Sequence, residues 1–179
     1  MSPRVHPIRG PRSGEIERLI EIETAAGMLL AGHGYPSLAV EPPATPPQFA
    51  ARLRGRRLLL ATDSLDEPIG FALTERLGRT EWLCELSVHP AHGRRGVGAA
   101  LVEAVAKAAR ERGCDQIGLS TFRTVPFNAP FYASHGFVEL PPETAGPVLA
   151  RRFRDEVPPG IDPNERLMMV RMLTRDLHP

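Results

Sequence analysis

Between Glu15 and Ala31, Ile16, Leu19, Ile20, Glu23, Gly27 and Leu30 fall near helical spacing. This predicts a moderately amphipathic helix, which Gly32, Gly34 and Pro36 end. A short strand over Val5 to Arg9 precedes it, and the proline-rich stretch Glu41 to Pro47 reads as a loop before a short helix, Gln48 to Arg54. From Arg57 the period changes. RLLLATD, a turn at Asp63 to Pro68, and IGFALTERL read as two antiparallel strands, followed by a third over Trp82 to Val88. Val97, Leu101, Ala104, Val105 and Ala108 then line one face of the strongest helix, Val97 to Arg112, with Glu103 and Lys107 paired at i,i+4 and Gly113 as the stop. The strand Gln116 to Thr121 should run parallel to the one before this helix, because a short helical crossover makes a right-handed βαβ unit. A helix over Asn128 to His135, a strand over Phe137 to Leu140, and a Pro/Gly-rich connection to about Pro163 follow. That connection has a helical turn at Arg151 to Glu156, and a final strand covers Leu167 to Leu173.

Composition narrows the class. At 179 residues, one domain over 1–179 is expected. Twenty-two Lys and Arg against 21 Asp and Glu give a net charge of +1, so no global field recruits nucleic acid or an anionic membrane, and an anionic ligand must be bound locally. Cys84 and Cys114 lack any CxxC or Cys/His spacing, which points away from a disulfide scaffold or a metal site. The N-terminus has no apolar signal region, and no later run approaches the roughly 18 to 20 apolar residues that span a bilayer. A cytoplasmic protein is expected.

The chemistry begins at HPAHGRRGVGAAL, where a strand gives way to glycines at 93, 96 and 98 and then directly to the best helix. The first amides of a helix lack intrahelical acceptors and carry a partial positive charge, so a phosphate placed there answers both. Gly96 and Gly98 allow close backbone approach and tolerate positive φ, and Arg94 and Arg95 can add charge-assisted bonds. The nucleotide P-loop is excluded because no Lys-Ser or Lys-Thr follows. The dinucleotide fingerprint is excluded because Leu101 stands where its third glycine belongs. Read blandly, the glycines only satisfy a tight turn.

A second segment, NAPFYASHGF, places Tyr132 four residues after Asn128, on one helix face, with Asn128 as a candidate cap. Read blandly, Phe127, Phe131 and Tyr132 are packing residues. Together, ELSVHPAHGRRGVGAALV and NAPFYASHGF resemble the GNAT N-acetyltransferase superfamily, which binds the CoA pyrophosphate with Q/R-x-x-G-x-G/A at a helix start and completes the cofactor site with a later N-x-x-x-x-Y and Gly-Phe. The resemblance covers about Leu83 to Phe137. It departs at Gly93, which takes the family's Gln or Arg position, so the cradle relies on backbone amides with Arg94 and Arg95 in support.

The resemblance implies an α/β fold of mixed α+β sheet type: a GNAT-like, mostly antiparallel sheet of six to seven strands, with a central splayed parallel pair and flanking helices. It implies acetyl-CoA as co-substrate, no metal, and direct attack by a primary amine of a small molecule or peptide. Cofactor contacts fall on Val88, Arg94, Arg95, Gly96, Val97, Gly98, Ala99 and Asn128, with Tyr132 as general acid. Glu85 is the first candidate base and Glu81 the weaker one, with ordered water as a third route. His89 and His92 read as solvated loop residues, Cys84 as core rather than nucleophile, and Glu21, Glu23 and Glu41 as surface charges able to meet a cationic amine. Homodimers are common among similar proteins, and no residue pattern here decides for one. The competing reading is a non-catalytic acyl-CoA-binding or sensing module.

Overall fold

The computed structural model describes residues 6–173, so Val5, where the first strand was expected to begin, lies outside the described residues. Among the described residues, seven strands form one mixed sheet: β1 (Ile8–Arg9), β2 (Arg57–Thr62), β3 (Pro68–Leu77), β4 (Thr80–Val88), β5 (Gln116–Phe122), β6 (Val138–Glu139) and β7 (Arg166–Met172). Their order is β1-β2-β3-β4-β5-β7-β6. The expected parallel pair is present, with β4 and β5 in register from Thr80–Gln116 to Leu83–Leu119 and both strands continuing beyond. The pairs β1–β2, β2–β3, β5–β7 and β6–β7 are antiparallel.

Six α-helices accompany the strands among the described residues: α1 (Ile16–Gly27), α2 (Pro36–Ala39), α3 (Pro46–Arg52), α4 (Val97–Glu111), α5 (Ala129–Ser134) and α6 (Pro147–Asp155). Helix α2 was not expected from the sequence, and three others differ from its reading. Helix α1 buries Leu19 and Ile22 rather than Ile20, and the chain continues as a 3-10 turn to His33 before Gly34 closes it at φ 95°. Helix α3 starts earlier than expected, because Pro46 and Pro47 occupy its first turn, where a missing N–H costs no hydrogen bond; the Thr45 amide donates to Gln48 Oε1 at 2.8 Å. Helix α6 is a full helix where only a turn was expected, and it buries Leu149 and Phe153.

The described residues fall into two compact units. The first comprises the chain to Thr74 together with Glu85–Val105. Its core includes Leu19, Ile22, Leu60 and Phe71, and Phe49 meets Phe71 edge to face at 5.9 Å between ring centres. Gly70 in β3 lies against the end of β4 and the start of α4. A β-carbon there would stand 2.9 Å from the Ser87 carbonyl and 3.2 Å from both Val88 Cγ2 and Val97 Cγ1. Gly70→Ala is therefore expected to destabilise the protein by about 1–3 kcal/mol in denaturant titration, because backbone must shift to admit the methyl.

The second unit comprises Glu75–Cys84 and Ala106 onward. Trp82, Leu149, Phe153 and Met168 form its central cluster, and Gly118 leaves room for the Trp82 ring, whose Cε3 lies 2.9 Å from the position of an absent Cβ. Trp82 Nε1 donates to Glu156 Oε1 at 2.8 Å, and Arg152 Nε donates to the same oxygen at 2.9 Å. Burial pushes the Glu156 carboxyl above its ordinary range, with these two donors pulling the other way.

Candidate functional site

The glycine-rich turn belongs to the first unit. After β4, residues Pro90–His92 make one 3-10 turn, closed by the Gly93 amide donating to the Pro90 carbonyl at 3.0 Å. Gly93 has φ −62° and needs no glycine conformation, but a β-carbon there would crowd the Pro90 carbonyl at 3.2 Å. Arg94 and Gly96 then take left-handed φ values of 56° and 82°. Such reversals turn successive amides toward one side and form an anion-binding concavity. The Ala100 amide donates to the Gly96 carbonyl at 2.9 Å, so the amides of Val97, Gly98 and Ala99 precede it, where helix geometry offers no acceptor. The side chains of Arg94 and Arg95 are exposed beside them. The Arg95 carbonyl is held by His6 Nε2 at 2.9 Å, a long-range tie that the sequence did not suggest. Of the two glycines credited with positive φ, only Gly96 uses it; Gly98 is an ordinary helical residue.

Glu85 and Val88 lie on the stretch of β4 in the same unit, and Ser87 Oγ donates to Glu85 Oε1 at 2.6 Å. The Glu85 carboxylate also acts electrostatically on Arg52, whose guanidinium is raised chiefly by its hydrogen bonds to Glu23, with Nη1 and Nη2 at 2.8 and 2.7 Å from that carboxylate. The same guanidinium stands 4.7 Å over the Phe49 ring. Glu23 is thus tied down rather than a loose surface charge. Glu21 is exposed and paired with Arg18 at 2.8 Å. His92 is kept below the usual imidazole range first by burial and then by Arg95 and His89, which favours its neutral form at pH 7.

Asn128 and Tyr132 belong to the second unit. Asn128 occupies the N-cap position of α5, but its side chain makes no capping hydrogen bond, a correction to the cap reading; its backbone amide donates to the Val125 carbonyl at 2.9 Å and its carbonyl accepts from the Tyr132 amide at 3.0 Å. Tyr132 is buried, with its ring edge-to-face against Phe131 and Phe137 at 5.2 and 5.5 Å, so its orientation is fixed by packing. Phe127 is exposed rather than core. Glu81, the weaker base candidate, is 1% exposed and locked to Arg112 at 2.8 and 3.1 Å, a structural pair closed to a substrate. Cys84 is half-buried and takes a hydrogen bond from Arg152 Nη2 at 3.3 Å, a contact spanning 68 positions of sequence that no local pattern announced. Among the described residues, no three His, Cys, Asp or Glu side chains gather as a metal site, and no helix is long and apolar enough to cross a membrane.

Residues 54–139 match the family model described as an acetyltransferase (GNAT) domain. Solved structures with a similar fold include a GCN5-related N-acetyltransferase from Rhodopseudomonas palustris, at 23% identity and TM-score 0.69 over 97% of this chain and 99% of that one. The PaiA N-acetyltransferase of Thermoplasma acidophilum, solved with coenzyme A, aligns at 16% identity and TM-score 0.70, over 94% and 99% of the two chains. The ribosomal-protein-S18-alanine N-acetyltransferase of Escherichia coli aligns at 18% and 0.66, over 98% and 100%.

Proposed function

We propose, from the match of residues 54–139 to the acetyltransferase (GNAT) domain model and from the fold shared with solved N-acetyltransferases, that the turn from Arg94 to Ala99 holds the pyrophosphate of acetyl-CoA and that Glu85 and Tyr132 move the protons of acetyl transfer. The protein transfers an acetyl group from acetyl-CoA to an amine acceptor, and the finer assignment is a primary amine of a small molecule or peptide. The observation that carries the cofactor assignment is the pair of left-handed residues, Arg94 and Gly96, leading into the open first turn of α4. Backbone amides, rather than a side chain at position 93, supply the donors, and Arg94 and Arg95 add charge. Val88 offers its backbone to the pantetheine arm, and Asn128, whose side chain makes no capping bond, contributes a cofactor contact.

In the reaction, the amine nitrogen attacks the thioester carbonyl carbon and the C–S bond breaks. Glu85 accepts the proton lost by the amine, and Tyr132 donates its phenolic proton to the departing CoA thiolate. A phenol with a reference pKa near about 10 is protonated at neutral pH and suited to that donation. Cys84 and Cys114 are thiols, which accords with a reducing, cytoplasmic setting.

The direct test is thiol release from acetyl-CoA over a panel of amines. Turnover with at least one amine supports the reading. Tight binding of CoA with no release from any amine would instead favour a non-catalytic sensor. Glu85→Gln is expected to lower kcat/KM at neutral pH by roughly 10²-fold and leave acetyl-CoA affinity in place. An unaltered rate would leave water as the proton acceptor.

A further inference from the structure

Within the second unit, an open cleft of about 240 Å³ lies where the end of β5 meets the start of β7. Its floor is apolar: Phe153 and Leu167 are 6% exposed and Met168 is fully buried. Its rim is charged. Arg166 Nε and Nη2 donate to Ser120 Oγ at 3.1 and 2.9 Å, and its guanidinium stacks 4.7 Å over the Phe122 ring, so the fork is held flat at the cleft wall. Arg123 grips Glu139 through both Nη atoms at 3.1 and 3.0 Å, and its Nε reaches the Asn164 carbonyl at 3.3 Å. Glu143 is an exposed carboxylate on the same rim.

These groups select by charge. Two guanidiniums and two carboxylates leave the rim near neutral, so a dianion such as phosphate would meet Glu139 and Glu143 at close range. A planar monoanion suits an oriented guanidinium, and a cation beside it suits the exposed carboxylate. The volume is that of a small metabolite with a short apolar body. We propose that this cleft binds a zwitterion of the α-amino-acid class, with its carboxylate on Arg166, its ammonium toward Glu143 and its apolar side chain on the Phe153–Leu167–Met168 floor. This site goes beyond the acetyl-transfer reading and does not rest on it.

The chain carries its own reporter. Its single tryptophan, Trp82, packs against Phe153 and Met168, directly behind the floor. The full-length protein is titrated with leucine, leucinamide and 4-methylpentanoate, with Trp82 fluorescence and calorimetry as readouts. Leucine should bind saturably, and both truncated ligands should bind more weakly by roughly 10-fold or more, since each loses one charge-assisted contact. Arg166→Met should weaken leucine by a similar factor, and Glu143→Gln should weaken leucine while leaving 4-methylpentanoate unaffected. The ligand series on the unaltered protein keeps the proposal testable if Arg166→Met folds poorly. Absence of saturable leucine binding, or leucinamide binding as tightly as leucine, would overturn it. Thiol release is measured separately, so acetyl transfer without leucine binding defeats this proposal alone, and leucine binding without acetyl transfer defeats only the catalytic one.

Discussion

Replacing Tyr132 with phenylalanine is expected to lower kcat by roughly 10²-fold or more, with acetyl-CoA affinity altered by less than about threefold. The ring is set edge-to-face between Phe131 and Phe137, and phenylalanine fills the same volume, so the packing of α5 survives the change. On the proposed role, what is lost is a proton donor for the leaving thiolate, whose cost falls in the transition state and hence on kcat. Steady-state kinetics with a saturating amine, alongside equilibrium titration of acetyl-CoA, separates the two quantities. A kcat within twofold of the parent would remove Tyr132 as the acid and leave it as a packing residue. An acetyl thioester donor with a more acidic thiol narrows the attribution further, because a better leaving group needs less protonation and should recover part of the lost rate.

Gly96→Val should act on the other half of the assignment. Gly96 stands at φ 82°, where a β-branched residue is strained by about 1–3 kcal/mol, and its conformation sets the direction of the amides entering α4. Acetyl-CoA is expected to bind roughly 10- to 100-fold more weakly, because the concavity opens and the first-turn amides of Val97, Gly98 and Ala99 no longer converge. No atom lies within 4 Å of a β-carbon built on Gly96, so the effect comes from backbone conformation rather than a clash inside the fold. Thermal melting of the unliganded protein checks that the loss is local. Undiminished affinity for acetyl-CoA would place the phosphates elsewhere. Gly98→Val, by contrast, needs no unusual backbone and should act only by putting a side chain in the path of the ligand. The two substitutions therefore report on different causes.

Helix α4 and the turn before it were legible because their information is local. A 3.6-residue apolar period, glycines at fixed offsets and a terminal Gly113 lie within one short stretch, and no distant partner alters their meaning. The parallel β4–β5 pair followed from the crossover rule, which also needs only neighbouring elements. Helix α6 was less legible. The prolines and glycines around it read as a connection, and its two buried apolar residues, Leu149 and Phe153, become informative only when Trp82 and Met168 are known to lie beneath them.

The sequence by itself therefore determined the glycine-rich turn before α4 and the class of fold, since both rest on backbone conformations that a few adjacent residues impose. Tertiary structure decided what the charged groups do. Glu23 was read as a surface charge and Glu81 as a weaker candidate base, yet one chelates Arg52 and the other is buried against Arg112, pairings set by sequence separations of 29 and 31 residues. Arg123 and Arg166 share a cleft only because antiparallel register brings the end of β5 to the start of β7. A charge takes its role from what surrounds it in space, and that environment is assembled by long-range packing which no local pattern encodes.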